Sequence, residues 1–124
     1  MSSYLAVAFG GALGSMARYF AAGSVYERLG TGFPYGTLAV NVAGCFLIGL
    51  IMELTESRFT INPQFKIFLT IGVLGGFTTF STFSFETLAL ARDGLMLKAG
   101  ANAFGSLFTC LMATWVGMVA GRIV

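Results

Sequence analysis

Residues 75–86 read GGFTTFSTFSFE, a run of twelve that holds two glycines, four phenylalanines, five Ser or Thr hydroxyls and one carboxylate. The groups in this run suggest two kinds of chemistry. A helix interrupted at Gly75-Gly76 would free backbone carbonyl oxygens, and such oxygens are good ligands for a hard cation, sodium above all. Phe77, Phe80 and Phe83 recur every third residue and form one stripe, with Thr79, Ser81, Thr82 and Ser84 between them. An aromatic ring is positive at its edge. Edges alternating with hydroxyl donors can favour an anion without holding it as tightly as a lysine would. Ordinary aromatic packing is the plainer reading of the stripe, but the interleaved hydroxyls argue against lipid on every side.

Other polar residues fall where apolar ones are expected. Arg18 closes the pattern Gly14-Ser-Met-Ala-Arg18. It either snorkels or makes a structural hydrogen bond, or else it sets a positive charge at a water-filled vestibule. Asn41 can act as interhelical glue or as an amide donor to an anion. Glu86, unpaired in lipid, would protonate or find a partner; it either accepts a structural hydrogen bond or faces a polar pathway. Asn102, Ser106, Cys110 and Thr114 recur at intervals of four, which puts them on one helix face as a polar track.

The elements that must position these groups are membrane spans. Of 124 residues, 56% are hydrophobic and 10% charged, against about 25% charged in an ordinary soluble domain, and the mean hydropathy is +0.85. A membrane helix needs roughly 20 apolar residues, and four segments qualify: Tyr4 to Ser24, Pro34 to Leu54, Phe68 to Leu90 and Leu95 to Val119. The expectation is an all-α membrane protein of one domain, residues 1–124, with four transmembrane helices and the third broken near its centre. Pro34 suits a helix start. Gly10 and Gly14, Gly72 and Gly76, and Gly117 and Gly121 each make a G-x-x-x-G pair suited to close helix packing. The first run has no basic segment ahead of it and is interrupted by Arg18, so it reads as a span and not as a cleaved leader.

Charge and composition narrow the function. A net charge of +2, spread along the chain, gives no nucleic-acid surface. Histidine is absent, which removes the commonest general base and metal ligand, and no nucleophile–base pair supports an enzyme. Cys45 and Cys110 lie in apolar segments and form no C-x-x-C, so neither a disulfide framework nor a zinc site is expected. Arg58, Lys66 and Arg122 fall on one membrane face, and Arg28, Arg92 and Lys98 on the other, a balance of three against three with Arg18 set aside. Orientation normally follows an excess of Lys and Arg in the cytoplasmic loops. A balanced chain is expected to insert both ways and to pair as an antiparallel, dual-topology homodimer.

The run G-G-F-T-T-F-S-T-F-S followed by Glu86 closely resembles the signature of the Fluc (CrcB) fluoride channel family. The G-x-x-x-R of Gly14 to Arg18, the G-T-L-x-V-N of Gly36 to Asn41 and the four-span length extend the resemblance over the whole chain. It implies a dual-topology homodimer in a bacterial inner membrane, with two pores that pass fluoride passively, each pore built from both subunits. By motif position, Phe80 and Phe83 match the pore phenylalanines and Asn41 the pore asparagine. Ser81 and Thr82 match the hydroxyls beside the rings, and Arg18 and Glu86 the polar vestibule. The backbone carbonyls of Gly75 and Thr78 match those that hold a central sodium ion, Na+. In the fourth span, Asn102 stands where some relatives have tyrosine and Cys110 where some have serine, alongside Ser106 and Thr114. The alternative is a small proton-coupled multidrug or guanidinium-type exporter. Such exporters rely on a membrane carboxylate in the first span, and here that span carries Arg18 instead.

Overall fold

The computed structural model describes residues 2–124. Six α-helical stretches, α1 (Ser3–Leu29), α2 (Tyr35–Ser57), α3 (Pro63–Ile67), α4 (Gly75–Phe77), α5 (Phe80–Arg92) and α6 (Met96–Ile123), are joined in the middle by a π-helical stretch, Phe68–Leu74. Four helical units are long and apolar enough to cross a membrane: Ser3–Leu29, Tyr35–Ser57, Pro63–Arg92 and Met96–Ile123. All four expected spans are present, each reaching a few residues further than its apolar run. Polar residues close the extra turns, so hydropathy alone cuts the helices short.

Local signals fix the ends. The Ser2 hydroxyl accepts from the Leu5 N–H at 3.2 Å and starts α1, and Gly30 ends it with a φ of 82°, a backbone shape that glycine adopts without strain. Pro34 precedes α2 as its cap and is not its first helical residue. The Asn62 side chain accepts from the Gln64 N–H at 2.8 Å, with Pro63 opening α3.

The third span is broken, but not at its glycines. Gly75 is helical, with φ −62° and ψ −38°, and the helix runs on to Phe77. Thr78 and Thr79 are the extended residues, with φ/ψ of −90°/158° and −151°/116°. The glycine there serves packing: a methyl group on Gly76 would press on the Gly11 carbonyl and on Ser15 of α1. The same seam runs back through Gly72 and Gly10, whose backbones leave no room for a side chain, and through Gly14 against the Val73 carbonyl. Small residues thus bring the spans together where lipid supplies no hydrophobic drive.

Large apolar side chains lie on the outside, among them Leu97, Phe104 and Phe80, which are 91%, 75% and 78% exposed. That inversion suits a protein dissolved in lipid, or one with a partner against it. The ends sort onto two faces as four crossings require. Arg58 donates to the Arg122 carbonyl, and Arg122 pairs with Glu53 at 3.1 Å. On the other face Lys98 donates to the Gly32 carbonyl at 3.1 Å.

Candidate functional site

The site is organised by the interruption at Thr78-Thr79. Extended backbone at membrane depth must find partners within the protein, and Asn41 of α2 supplies them. Its amide nitrogen donates to the Thr79 carbonyl at 3.0 Å, and its amide oxygen accepts from the Thr79 N–H at 2.8 Å. The side chain thereby stands in for a neighbouring strand. One turn along α2, Gly44 is bare because any side chain there would collide with the Thr78 methyl. Asn41 is therefore interhelical glue, as one reading of it held. An amide carries two N–H donors, so one remains unassigned beside the cavity that Asn41 lines.

Thr79 then caps the helix that follows. Its hydroxyl accepts from the Thr82 N–H at 3.2 Å and donates to the Thr82 hydroxyl at 3.0 Å, with the Ser81 hydroxyl 3.4 Å away. Thr79 is thus the residue that organises the break. Its signal was a hydroxyl just ahead of a new helical run, hidden among four others.

Ending the helix at Phe77 removes the usual amide donors from the carbonyls of its last turn. The Thr79 N–H, which would have reached Gly75, goes to Asn41, and the Thr82 N–H, which would have reached Thr78, goes to the Thr79 hydroxyl. Arg18 replaces one lost donor: its Nε donates to the Gly76 carbonyl at 3.0 Å. The structural hydrogen bond weighed for Arg18 is thus present. Gly75, Phe77 and Thr78 keep carbonyl oxygens without an amide partner among the described residues. Gly75 and Thr78 also line the cavity.

The cavity measures about 640 Å³. It brings together Asn41, Phe80 and Phe83 with Ser106, Cys110 and Thr114 of α6, so the polar track of the fourth span meets the ring pair of the third. The Phe80 and Phe83 rings are 5.4 Å apart and tilted by 47° to each other. The three-ring stripe does not survive. The break rotates Phe77 out of register, and it does not line the cavity.

Arg18, Ser81, Thr82 and Glu86 are not among the residues lining it. Glu86 belongs to a second polar cluster. Its Oε2 accepts from the Tyr26 hydroxyl at 3.2 Å, and that hydroxyl also lies 3.4 Å from the Thr37 Oγ1 and accepts from the Thr37 N–H. The Glu86 Oε1 is buried with no partner among the described residues. Tyr26 lies beyond the apolar run that ends at Ser24, and the continued helix carries it to Glu86 across 60 positions, a pairing no local pattern announces. At the upper end of the track, Asn102 donates to the Thr87 hydroxyl at 2.8 Å and accepts from Ser106 at 3.3 Å. Asn102 is 2% exposed, so it tethers α6 to α5 behind the track.

The model of the CrcB-like, camphor resistance (CrcB) family matches residues 5–118. The chain belongs to the CrcB family. Its relatives include a protein of Geotalea uraniireducens named fluoride-specific ion channel FluC, 52% identical over 98% of both chains. A protein of the same name from Geotalea daltonii is 48% identical over the full length of both. One from Acidobacterium capsulatum is 49% identical over 96% of this chain and 95% of its own.

Proposed function

We propose that this chain is a fluoride-specific ion channel, a multi-pass protein of a bacterial membrane that lets fluoride leave the cell down its gradient. The observation that carries this reading is the 52% identity, over 98% of both chains, to a protein named for that activity. The site supports it chemically. Fluoride is small and strongly hydrated, so a pore must replace its water with several neutral donors while avoiding a deep trap. The spare Asn41 N–H, the Cys110 thiol and the rings of Phe80 and Phe83 would supply such a set around one cavity, with the Ser106 hydroxyl beside them and its proton engaged by Asn102. No fixed cation lies among the lining residues, which keeps the path weak enough to leave.

The pathway reading extends to an antiparallel homodimer with two pores. Phe80, at 78% exposed, has no wall of its own chain beyond it, and the loop charges leave insertion without a preferred direction. A second copy, inverted, would close that flank. In the same dimer the Gly75 and Thr78 carbonyls of both copies would hold one sodium ion, which supplies a positive charge that fixes the break and joins the subunits. Arg18, Ser81, Thr82 and Glu86 would serve the approaches to the pore.

Expression in a bacterium deprived of its own fluoride exporters tests the function. Growth in fluoride-containing medium is the expected outcome, and continued sensitivity at normal protein levels contradicts the reading. Cysteines placed in loops on both faces, labelled from outside intact cells, test the topology: both faces react if the dimer is antiparallel, and one face only if it is not. Exchanging sodium for a large organic cation is expected to weaken the dimer or the flux, and no change in either would remove the ion from the account.

A further inference from the structure

Cys45 and Cys110 are both free and half-buried, and both line the cavity. Their placement follows from the packing of α2 against α6. These are the second and fourth crossings and so run parallel, and their register is set by backbone contact. Gly49 is pressed against the Thr114 carbonyl, and Gly117 against Phe46 and Leu50. Cys45 and Cys110 each lie one turn before the Gly49–Thr114 contact, on the same face as it, so the register of the two parallel helices brings them onto one stretch of the cavity wall. The pathway uses Cys110 as one small polar group in the track; it makes no use of a second thiol beside it.

A pair of thiols on a cavity wall is a pair of soft donors. No carboxylate or imidazole lies among the residues lining the cavity, so a metal that wants four mixed ligands, as zinc does, is poorly served. A soft cation content with two thiolates is well served. A disulfide is the lesser expectation, because reducing conditions inside the cell keep thiols free.

We propose that Cys45 and Cys110 form a two-thiolate site for one soft d10 cation, of the class of mercury(II), silver(I) and copper(I), and that its occupancy obstructs the anion path. Two S–H bonds are lost, two metal–sulfur bonds form, and two protons pass to water; no oxidant is involved. Occupancy removes the Cys110 S–H donor from the track and puts a large atom in its place. This second half rests on the channel reading, whereas the binding itself does not.

Mercury(II) chloride titrated into the purified protein, with free thiols counted by a chromogenic disulfide, reads the site directly. One mercury per chain is expected to protect both thiols. Cys45→Ala and Cys110→Ala should each lower affinity, measured against a monothiol competitor, on the order of a hundredfold, the loss of one tethered donor. Two mercury ions per chain, or unchanged affinity in either variant, overturns the site. Silver(I) titration of the unaltered protein, followed by metal–sulfur absorption, needs no variant, and an endpoint of two silver ions per chain overturns it equally. In liposomes one mercury per chain should stop fluoride efflux and a dithiol should restore it, while efflux that continues at full occupancy overturns the obstruction. Absence of efflux before any mercury is added contradicts the channel reading instead, and the stoichiometry still decides the site.

Discussion

Replacing Asn41 with alanine removes the partner of the interrupted span. Two hydrogen bonds disappear, at 3.0 Å to the Thr79 carbonyl and at 2.8 Å from the Thr79 N–H. Hydrogen bonds between membrane helices average about 0.6 kcal/mol each, which gives about 1.2 kcal/mol for the pair. A stranded buried N–H adds up to roughly 3 kcal/mol where water cannot reach it, and less where it can. Thr79 borders the cavity, so water meets part of that cost. The expected loss is about 2 kcal/mol, or about thirtyfold in the folding equilibrium. Reversible unfolding of purified protein in mixed micelles, followed by circular dichroism, measures it. Amide exchange at Thr79 should accelerate in parallel. A loss below about 0.5 kcal/mol, the range of an ordinary surface change, with exchange at Thr79 unaltered, would refute the claim that Asn41 holds the break.

Gly14→Ala drives a methyl into the Val73 carbonyl and should cost about 1–3 kcal/mol; Gly100→Ala, where nothing lies within 4 Å, should be neutral or stabilising in the same unfolding assay. Phe80→Ile exchanges a ring edge for an aliphatic surface and should sharply reduce fluoride flux without unfolding the protein, as flux and size-exclusion profiles together will show. Tyr26→Phe leaves the Glu86 Oε2 without its donor at 3.2 Å and should destabilise the protein by about 1–3 kcal/mol, whereas Tyr35→Phe, at an exposed position, should not.

The parts legible in the sequence were those where local chemistry contradicts lipid. Four apolar runs separated by charged connections fix the spans, because the bilayer sets their length. Asn41, the hydroxyls of the third span and the track of the fourth stand out because polar groups in hydrocarbon need a reason. The position of the break was not legible. Helix propensity put it at Gly75-Gly76, yet tertiary contacts decide it: Gly76 is spent on an approach to α1, while Asn41, 38 positions away, offers Thr79 the bonds a helix would otherwise provide. The Tyr26–Glu86 pair escaped for the same reason, since it joins the last turn of one span to the closing quarter of another. The π-helical stretch Phe68–Leu74 has no sequence signature either, although such irregularity commonly sits beside functional sites.

Ion efflux from liposomes carrying the purified protein, with fluoride and chloride followed by selective electrodes under identical gradients, tests the central claim most directly. The cavity bordered by Asn41, the tilted pair Phe80 and Phe83, and the track of Ser106, Cys110 and Thr114 predicts fast, passive fluoride efflux while chloride stays trapped. Chloride efflux at a comparable rate, or fluoride retained by protein that is folded and inserted, would contradict it.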